Sequence, residues 1–222
     1  MPDGGCLFDR LLAWLPLLAA AGVLQLAKLA LLRPRLGRVG PPAPGVASLG
    51  ALLRHGRYRD VPVSEEPPGP FGGGRFLPGA RRRGEIRLDE GMLERRDVDA
   101  LAILEHERGH AERDLPAPRP YRLGLVGLML AGLALGLGNR GLAGAGTALT
   151  WLGFGLAGLH VLRNEAAASE YALRELWTRD WPRPLWRAAT GRLAAAYGTY
   201  LADWALAAAA LALLTAGLAC RS

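Results

Sequence analysis

Lysine is almost absent from this chain. Lys28 is the only one, so the net charge of +7 at pH 7 comes from arginine. A basic balance is typical of proteins that bind nucleic acid or membrane surfaces. Here the arginines flank long apolar blocks instead of forming one basic stretch. This placement favours membrane lipid over nucleic acid as a partner, and we predict no nucleic-acid partner.

Cysteine is equally scarce, with Cys6 and Cys220 at opposite ends of the chain. Cysteine zinc sites and disulfide frameworks are recognised by closely spaced cysteines. The sequence therefore supports neither of these two arrangements. Apolar residues make up 50% of the 222 residues and charged residues 21%. A chain of this length and composition can hold one small domain and a few membrane spans.

Four apolar blocks predict membrane-spanning helices, since about 20 residues cross a bilayer core. They are Leu11 to Leu32, Leu123 to Gly138, Gly141 to Leu162, and about Leu193 to Ala219. The second block is short, and the sequence leaves open whether it crosses fully. The first is interpreted as a retained anchor and not a cleaved signal peptide, because arginines follow it where a cleavage site would need small residues.

Composition divides the chain into five segments: an anchor (1–32), a charged segment (33–122), a hairpin of spans (123–162), a second charged segment (163–192) and a last span (193–222). The two charged segments hold 17 and 6 arginines. By the positive-inside rule both are cytoplasmic and both termini lie outside. We predict a multi-pass protein of the plasma membrane, mainly α-helical, with about four transmembrane helices and a small cytoplasmic α+β region.

A helix is predicted from Asp97, which can cap its first turn. Val98, Leu101 and Leu104 recur at helical spacing and give it one apolar face. The helix should end near Asp114, because three prolines follow within six residues.

This helix carries the sequence His106-Glu107-Arg108-Gly109-His110. Histidines four residues apart project from one helix face and can bind one metal ion. Glu107 can act as general base towards a water held by that metal, which makes it the predicted catalytic residue. Two imidazoles and a carboxylate suit zinc. The alternative is a solvated charged helix in which the motif is accidental.

A catalytic zinc site needs a third protein ligand and keeps one position open. Glu165, at the end of the third predicted span, is the best candidate. Glu170 and Glu175 are alternatives by charge alone, and Glu170 should face elsewhere on the same helix. His160 is interpreted as a packed interfacial residue, and His55 as a surface residue among arginines.

The stretch from Ala102 to Asp114 resembles the catalytic helix of the integral-membrane gluzincins, which include HtpX-type, CAAX-prenyl and BlaR-type proteases. Residues 165–173 resemble the second motif of these families, and the layout is most similar to the compact YugP-like zinc proteases. The resemblance implies a membrane-embedded zinc metalloendopeptidase acting on unfolded, membrane-associated or regulatory proteins. It also implies that His106, His110 and Glu165 bind zinc and that Glu107 is the base.

Ser169 stands where the HtpX-type motif has an aspartate, and YugP-like proteins tolerate serine there. The resemblance implies that this residue orients a zinc-bound histidine, and a hydroxyl is a weaker acceptor than a carboxylate. An alternative is therefore a zinc-binding sensor or scaffold with little proteolytic activity.

Arg75 to Leu77 and Glu85 to Leu88 are predicted as two short strands of a hairpin around Pro78-Gly79. If the second strand is an exposed edge beside the catalytic helix, an extended peptide substrate can add to it as another strand. The oligomeric state does not follow from the sequence.

Overall fold

A computed structural model describes residues 4–36, 38–54, 62–67, 74–77, 84–113 and 119–220. The chain is mainly helical. Its elements are α1 (Gly4–Ala27), a π-helical turn (Lys28–Leu32), α2 (Arg33–Leu36), α3 (Leu49–Leu53), β1 (Val63–Glu66), β2 (Gly74–Leu77), β3 (Glu85–Asp89), a 3₁₀ turn (Met92–Glu94), α4 (Val98–Arg113), α5 (Arg119–Gly138), a 3₁₀ turn (Arg140–Leu142), α6 (Ala143–Trp177) and α7 (Arg183–Ala219).

The chain forms two compact units. The first contains residues 1–28, 117–162 and 200–222, and the second contains residues 29–116 and 163–199. Helices α6 and α7 therefore each contribute residues to both units.

Among the described residues, three helices are long and apolar enough to cross a membrane: Phe8–Leu36, Ala143–Trp177 and Arg183–Gly217. Three of the four predicted spans are thus confirmed as helices with the length and composition of a membrane span. The block predicted at 123–138 is helical, but its apolar part, Leu123–Gly138, is shorter than the others. A fourth span stays a prediction.

Close helix packing in the first unit depends on glycine. A Cβ atom at Gly132 of α5 would lie 2.5 Å from Thr150 Oγ1 and 2.6 Å from the carbonyl oxygen of Gly146, both on α6. Such backbone proximity is typical of small-residue contacts between membrane helices. Polar side chains also pair in this unit, where Lys28, 8% exposed, forms an ion pair with Asp203 of α7.

Cys6 and Cys220 form a disulfide, with their Cα atoms 5.7 Å apart. The expectation that the sequence supports no disulfide is therefore wrong. The spacing rule applies to cysteines that are close in sequence, whereas these two are 214 residues apart. They meet because the start of α1 lies beside the end of α7 in the first unit.

The second unit contains a three-stranded sheet in the order β1-β3-β2. Strand β2 pairs antiparallel with β3, which confirms the two predicted strands as neighbours, and their connection lies outside the described residues. Strand β1 pairs parallel with the other side of β3. Because β3 has a partner on both sides, the expectation that Glu85 to Leu88 forms an exposed edge for substrate is wrong.

Helix α4 begins as the sequence predicts. The amide of Ala100 donates to Asp97 Oδ1 at 3.0 Å, which caps the helix. Val98, Leu101 and Leu104 are fully buried, together with Ile86 and Leu88 of the sheet, in the core of the second unit. The helix is described as far as Arg113, so its predicted end at Asp114 lies outside the described residues.

Candidate metal centre

Every residue of α4 from Val98 to His110 is buried. Five of the six residues that follow Leu104 in this range carry charged or ionisable side chains. Glu105 is fully buried and accepts a hydrogen bond from Arg108 Nη1 at 2.9 Å. It also forms an ion pair with Arg179, whose Nη2 lies 3.8 Å from Oε1. The guanidinium of Arg108 also lies over the Tyr171 ring, 5.8 Å from its centroid. Charged groups are buried in proteins when they are paired in this way. From Val98 to His110 the alternative of a solvated charged helix is therefore wrong, whereas an accidental motif stays a hypothesis.

Three buried side chains converge on one point. His106 Nε2 lies 3.2 Å from His110 Nε2 and 3.2 Å from Glu165 Oε2, and His110 Nε2 lies 3.6 Å from the same Glu165 oxygen. All three residues belong to the second unit, and this group could hold a metal ion.

The three distances fit tetrahedral coordination. Zinc binds imidazole nitrogen and carboxylate oxygen at about 2.0–2.2 Å, so two ligand atoms of a tetrahedral site lie about 3.3–3.6 Å apart. The observed separations of 3.2, 3.2 and 3.6 Å lie in or close to that range. A tetrahedral ion held by these three residues would have one position open, as catalytic zinc sites do.

Close contact between two helices brings Glu165 to the histidines. A Cβ atom at Gly109 would lie 2.6 Å from the carbonyl oxygen of Ala168 and 2.7 Å from its Cα atom. Only glycine permits this approach of α4 to α6. Gly109 is thus a positioning residue that our sequence analysis missed, and its place between the two histidines is the signal that could have identified it.

Ser169 lies one helical turn beyond Glu165, with its Oγ 3.2 Å from Nδ1 of His106. When Nε2 of an imidazole is the metal ligand, Nδ1 carries the proton and donates. With a metal ion on Nε2, the serine hydroxyl would be the acceptor that fixes the orientation of the His106 ring. The structure thus brings Ser169 to one of the two histidines of the motif, as the resemblance implies.

Glu107 is buried, at 6% exposure, and is not one of the three converging groups. It lies next to His106 on α4, beside the candidate metal ligands.

The alternative ligands lie elsewhere. Glu170 is exposed and pairs with Arg174, and Glu175 is not in the converging group. His160 packs against the Tyr121 ring, 5.7 Å between centroids, in the first unit. His55 lies outside the described residues.

Comparison of the chain with models of protein families, with curated proteins and with solved structures finds no match. The resemblance to the membrane gluzincins therefore depends on the two motifs and their order along the chain.

Proposed function

We propose that this protein is a membrane-embedded zinc metalloendopeptidase. The observation that supports this most is the convergence of His106, His110 and Glu165 at distances suited to tetrahedral zinc. These three would hold the ion. Glu107 on the same helix would provide the base that a hydrolase of this kind needs.

Each residue has a defined task in this proposal. When bound, zinc supplies a Lewis acid that lowers the pKa of water and polarises the scissile carbonyl. Glu107 takes the proton of the attacking water and later delivers it to the leaving amine. Ser169 holds the His106 ring in the tautomer that presents Nε2, and Gly109 keeps α4 close enough to α6 for Glu165 to reach the site.

The proposed location is the plasma membrane, with the site on the cytoplasmic side and membrane lipid and a protein or peptide substrate as partners. The arginine-rich segments favour this orientation. The disulfide between Cys6 and Cys220 adds independent support, because disulfides persist outside the cytoplasm. Both observations favour termini on the outer side.

A second candidate function is a zinc-binding sensor or scaffold with little proteolytic activity. Ser169 is the observation that favours it, because a hydroxyl is a weaker acceptor than the carboxylate usual beside zinc-bound histidine.

Two measurements test these functions. Elemental analysis of the detergent-purified protein should give about one zinc per chain, and markedly less for Glu165→Ala. Glu170→Ala is the matched control, since Glu170 is an exposed glutamate of the same helix. If the wild type binds no zinc, or if Glu165→Ala retains all of it, the proposed site is wrong.

Cleavage of an unfolded protein substrate separates the peptidase from the sensor. Glu107→Gln should keep its zinc and lose cleavage, because glutamine cannot take up the proton. A wild type that binds zinc but cleaves no more than Glu107→Gln would favour the sensor instead.

A further inference from the structure

The second unit contains a cavity of about 530 Å³. None of the proposed metal ligands lines it. Sites for small molecules and cofactors are usually about 300–1,000 Å³. One apolar wall is formed by the end of the candidate span Phe8–Leu36, with Ala30, Leu31 and Pro34. Leu31 is 68% exposed, so this wall is open to whatever surrounds the helix.

Two arginines form the basic side of the cavity. Arg35 and Arg38 both line it, and both are exposed. The guanidinium of Arg35 lies against Gly191 of α7, where a side chain would collide with it. Guanidinium groups bind phosphate oxygens through paired charge-assisted hydrogen bonds. This side of the cavity is therefore suited to a phosphate.

A carboxylate faces the same space. Asp99, in the first turn of α4, lines the cavity although it is only 7% exposed. Gly40 packs directly on it, since a Cβ atom there would lie 2.8 Å from Asp99 Cγ. Burial raises the pKa of this carboxyl above its ordinary 3.8, and the nearby charges of Arg192, Arg95 and Arg35 do not fully offset that burial. A carboxylate buried at a cavity surface is stabilised by a ligand that carries a cation.

We propose that this cavity binds the headgroup of an amine-bearing phospholipid, phosphatidylethanolamine, from the surrounding membrane. Its phosphate binds Arg35 and Arg38, its ammonium group lies beside Asp99, and its acyl chains follow the apolar wall at Ala30 and Leu31. The two charges of the headgroup match the two signs of charge in the cavity. Because the cavity lies at the end of a candidate span, membrane lipid can reach it. The proposal does not depend on peptidase activity.

The wild type provides the first test. Native mass spectrometry of the detergent-solubilised protein should show one retained phosphatidylethanolamine, binding about tenfold tighter than phosphatidylglycerol, which carries no cation, as expected for one additional charge-assisted contact. Equal binding of phosphatidylglycerol would overturn the role of Asp99 and with it the proposal. Soluble phosphorylethanolamine and inorganic phosphate should bind at least tenfold more weakly, because they lack acyl chains. If they bind as tightly, the occupant is a free phosphate compound and not a lipid.

Variants provide the second test. Arg35→Gln with Arg38→Gln should weaken retention of all phospholipids by about tenfold or more. The matched control is Arg183→Gln with Arg187→Gln, which removes two exposed arginines of α7 that do not line the cavity. Equal retention by the two double variants would overturn the proposal.

Asp99→Asn should bind phosphatidylglycerol and phosphatidylethanolamine equally, whereas the exposed Asp180→Asn should keep the wild-type preference. An unchanged preference in Asp99→Asn would overturn the assignment of the ammonium group. Thermal unfolding in detergent reports whether each variant is folded. The lipid preference of the wild type is measured without any variant.

Discussion

The backbone of Gly109 lies against the backbone of Ala168, and a Cβ atom at Gly109 would be 2.6 Å from the Ala168 carbonyl oxygen. The atom in the way is backbone, so it cannot move aside as a flexible side chain would. The contact joins the helix of both histidines to the helix of Glu165. The ligand set therefore depends on a residue that binds no metal itself.

Gly109→Ala should separate the two helices and disrupt the ligand geometry. We expect a loss of about 1–3 kcal/mol in the free energy of unfolding, the usual cost of overpacking, and a lower zinc content by elemental analysis. Gly155→Ala in α6 is the control, because a Cβ atom there meets nothing within 4 Å. It should be neutral or stabilising, since alanine favours helix over glycine. Full zinc content in Gly109→Ala would contradict this account.

The Ser169 hydroxyl, 3.2 Å from His106 Nδ1, should tune zinc affinity. Ser169→Ala removes the acceptor, and we expect zinc to bind about 10–100-fold more weakly, the usual effect of losing such a partner. Ser169→Asp restores the carboxylate of the related motif and should bind at least as tightly as serine. Competition with a chelator of known affinity measures the zinc affinities of the three proteins. If Ser169→Ala binds zinc as tightly as the wild type, the contact has no such role.

Local signals in the sequence predicted the local features of the site. The cap at Asp97, the apolar face of α4 and the spacing of His106 and His110 all involve residues within a few turns of one helix. These features depend on helix geometry alone, which the sequence encodes directly.

Features that join distant parts of the chain were harder to predict. Strand β1 had no recognised signal, so β3 was expected at an edge although it lies between two partners. The disulfide joins residues 214 positions apart, and no spacing rule covers that distance. Glu165, 59 residues from His106, was proposed from its expected side of the membrane and from the resemblance of residues 165–173 to a family motif, and not from any local spacing.

Asp97 should make the start of α4 sensitive to acid. Burial on its own raises the pKa of this carboxyl, but hydrogen bonds from Arg95 and from the Ala100 amide outweigh it and hold the pKa below its ordinary value of 3.8. The ionised form is thus favoured by folding. Its contribution is fully present above the ordinary pKa and is lost as the pH falls through the depressed one.

Asp97→Asn keeps a capping oxygen but loses the ion pair with Arg95, whose Nε lies 2.7 Å from Oδ2. We expect a loss of about 1–3 kcal/mol at pH 7, as for other charge-assisted hydrogen bonds. Thermal unfolding in detergent should show the wild-type advantage at pH 7 and a smaller one below about pH 4. Asp180→Asn, at an exposed turn, is the control. A difference that is constant with pH would mean that ionisation of Asp97 is not its source.

The disulfide between Cys6 and Cys220 gives a direct test of orientation. If both cysteines lie outside, a membrane-impermeant maleimide applied to intact cells should label the protein only after an impermeant reductant has opened the bond. Arg187 is exposed, and Arg187→Cys can be made in a chain that also carries Cys6→Ser and Cys220→Ser. This single cysteine should stay unlabelled until the cells are permeabilised. Labelling of position 187 in intact cells would place the arginine-rich segment outside. The proposed active site would then lie outside the cell and would act on substrates there. This experiment therefore also decides which proteins to search for as substrates.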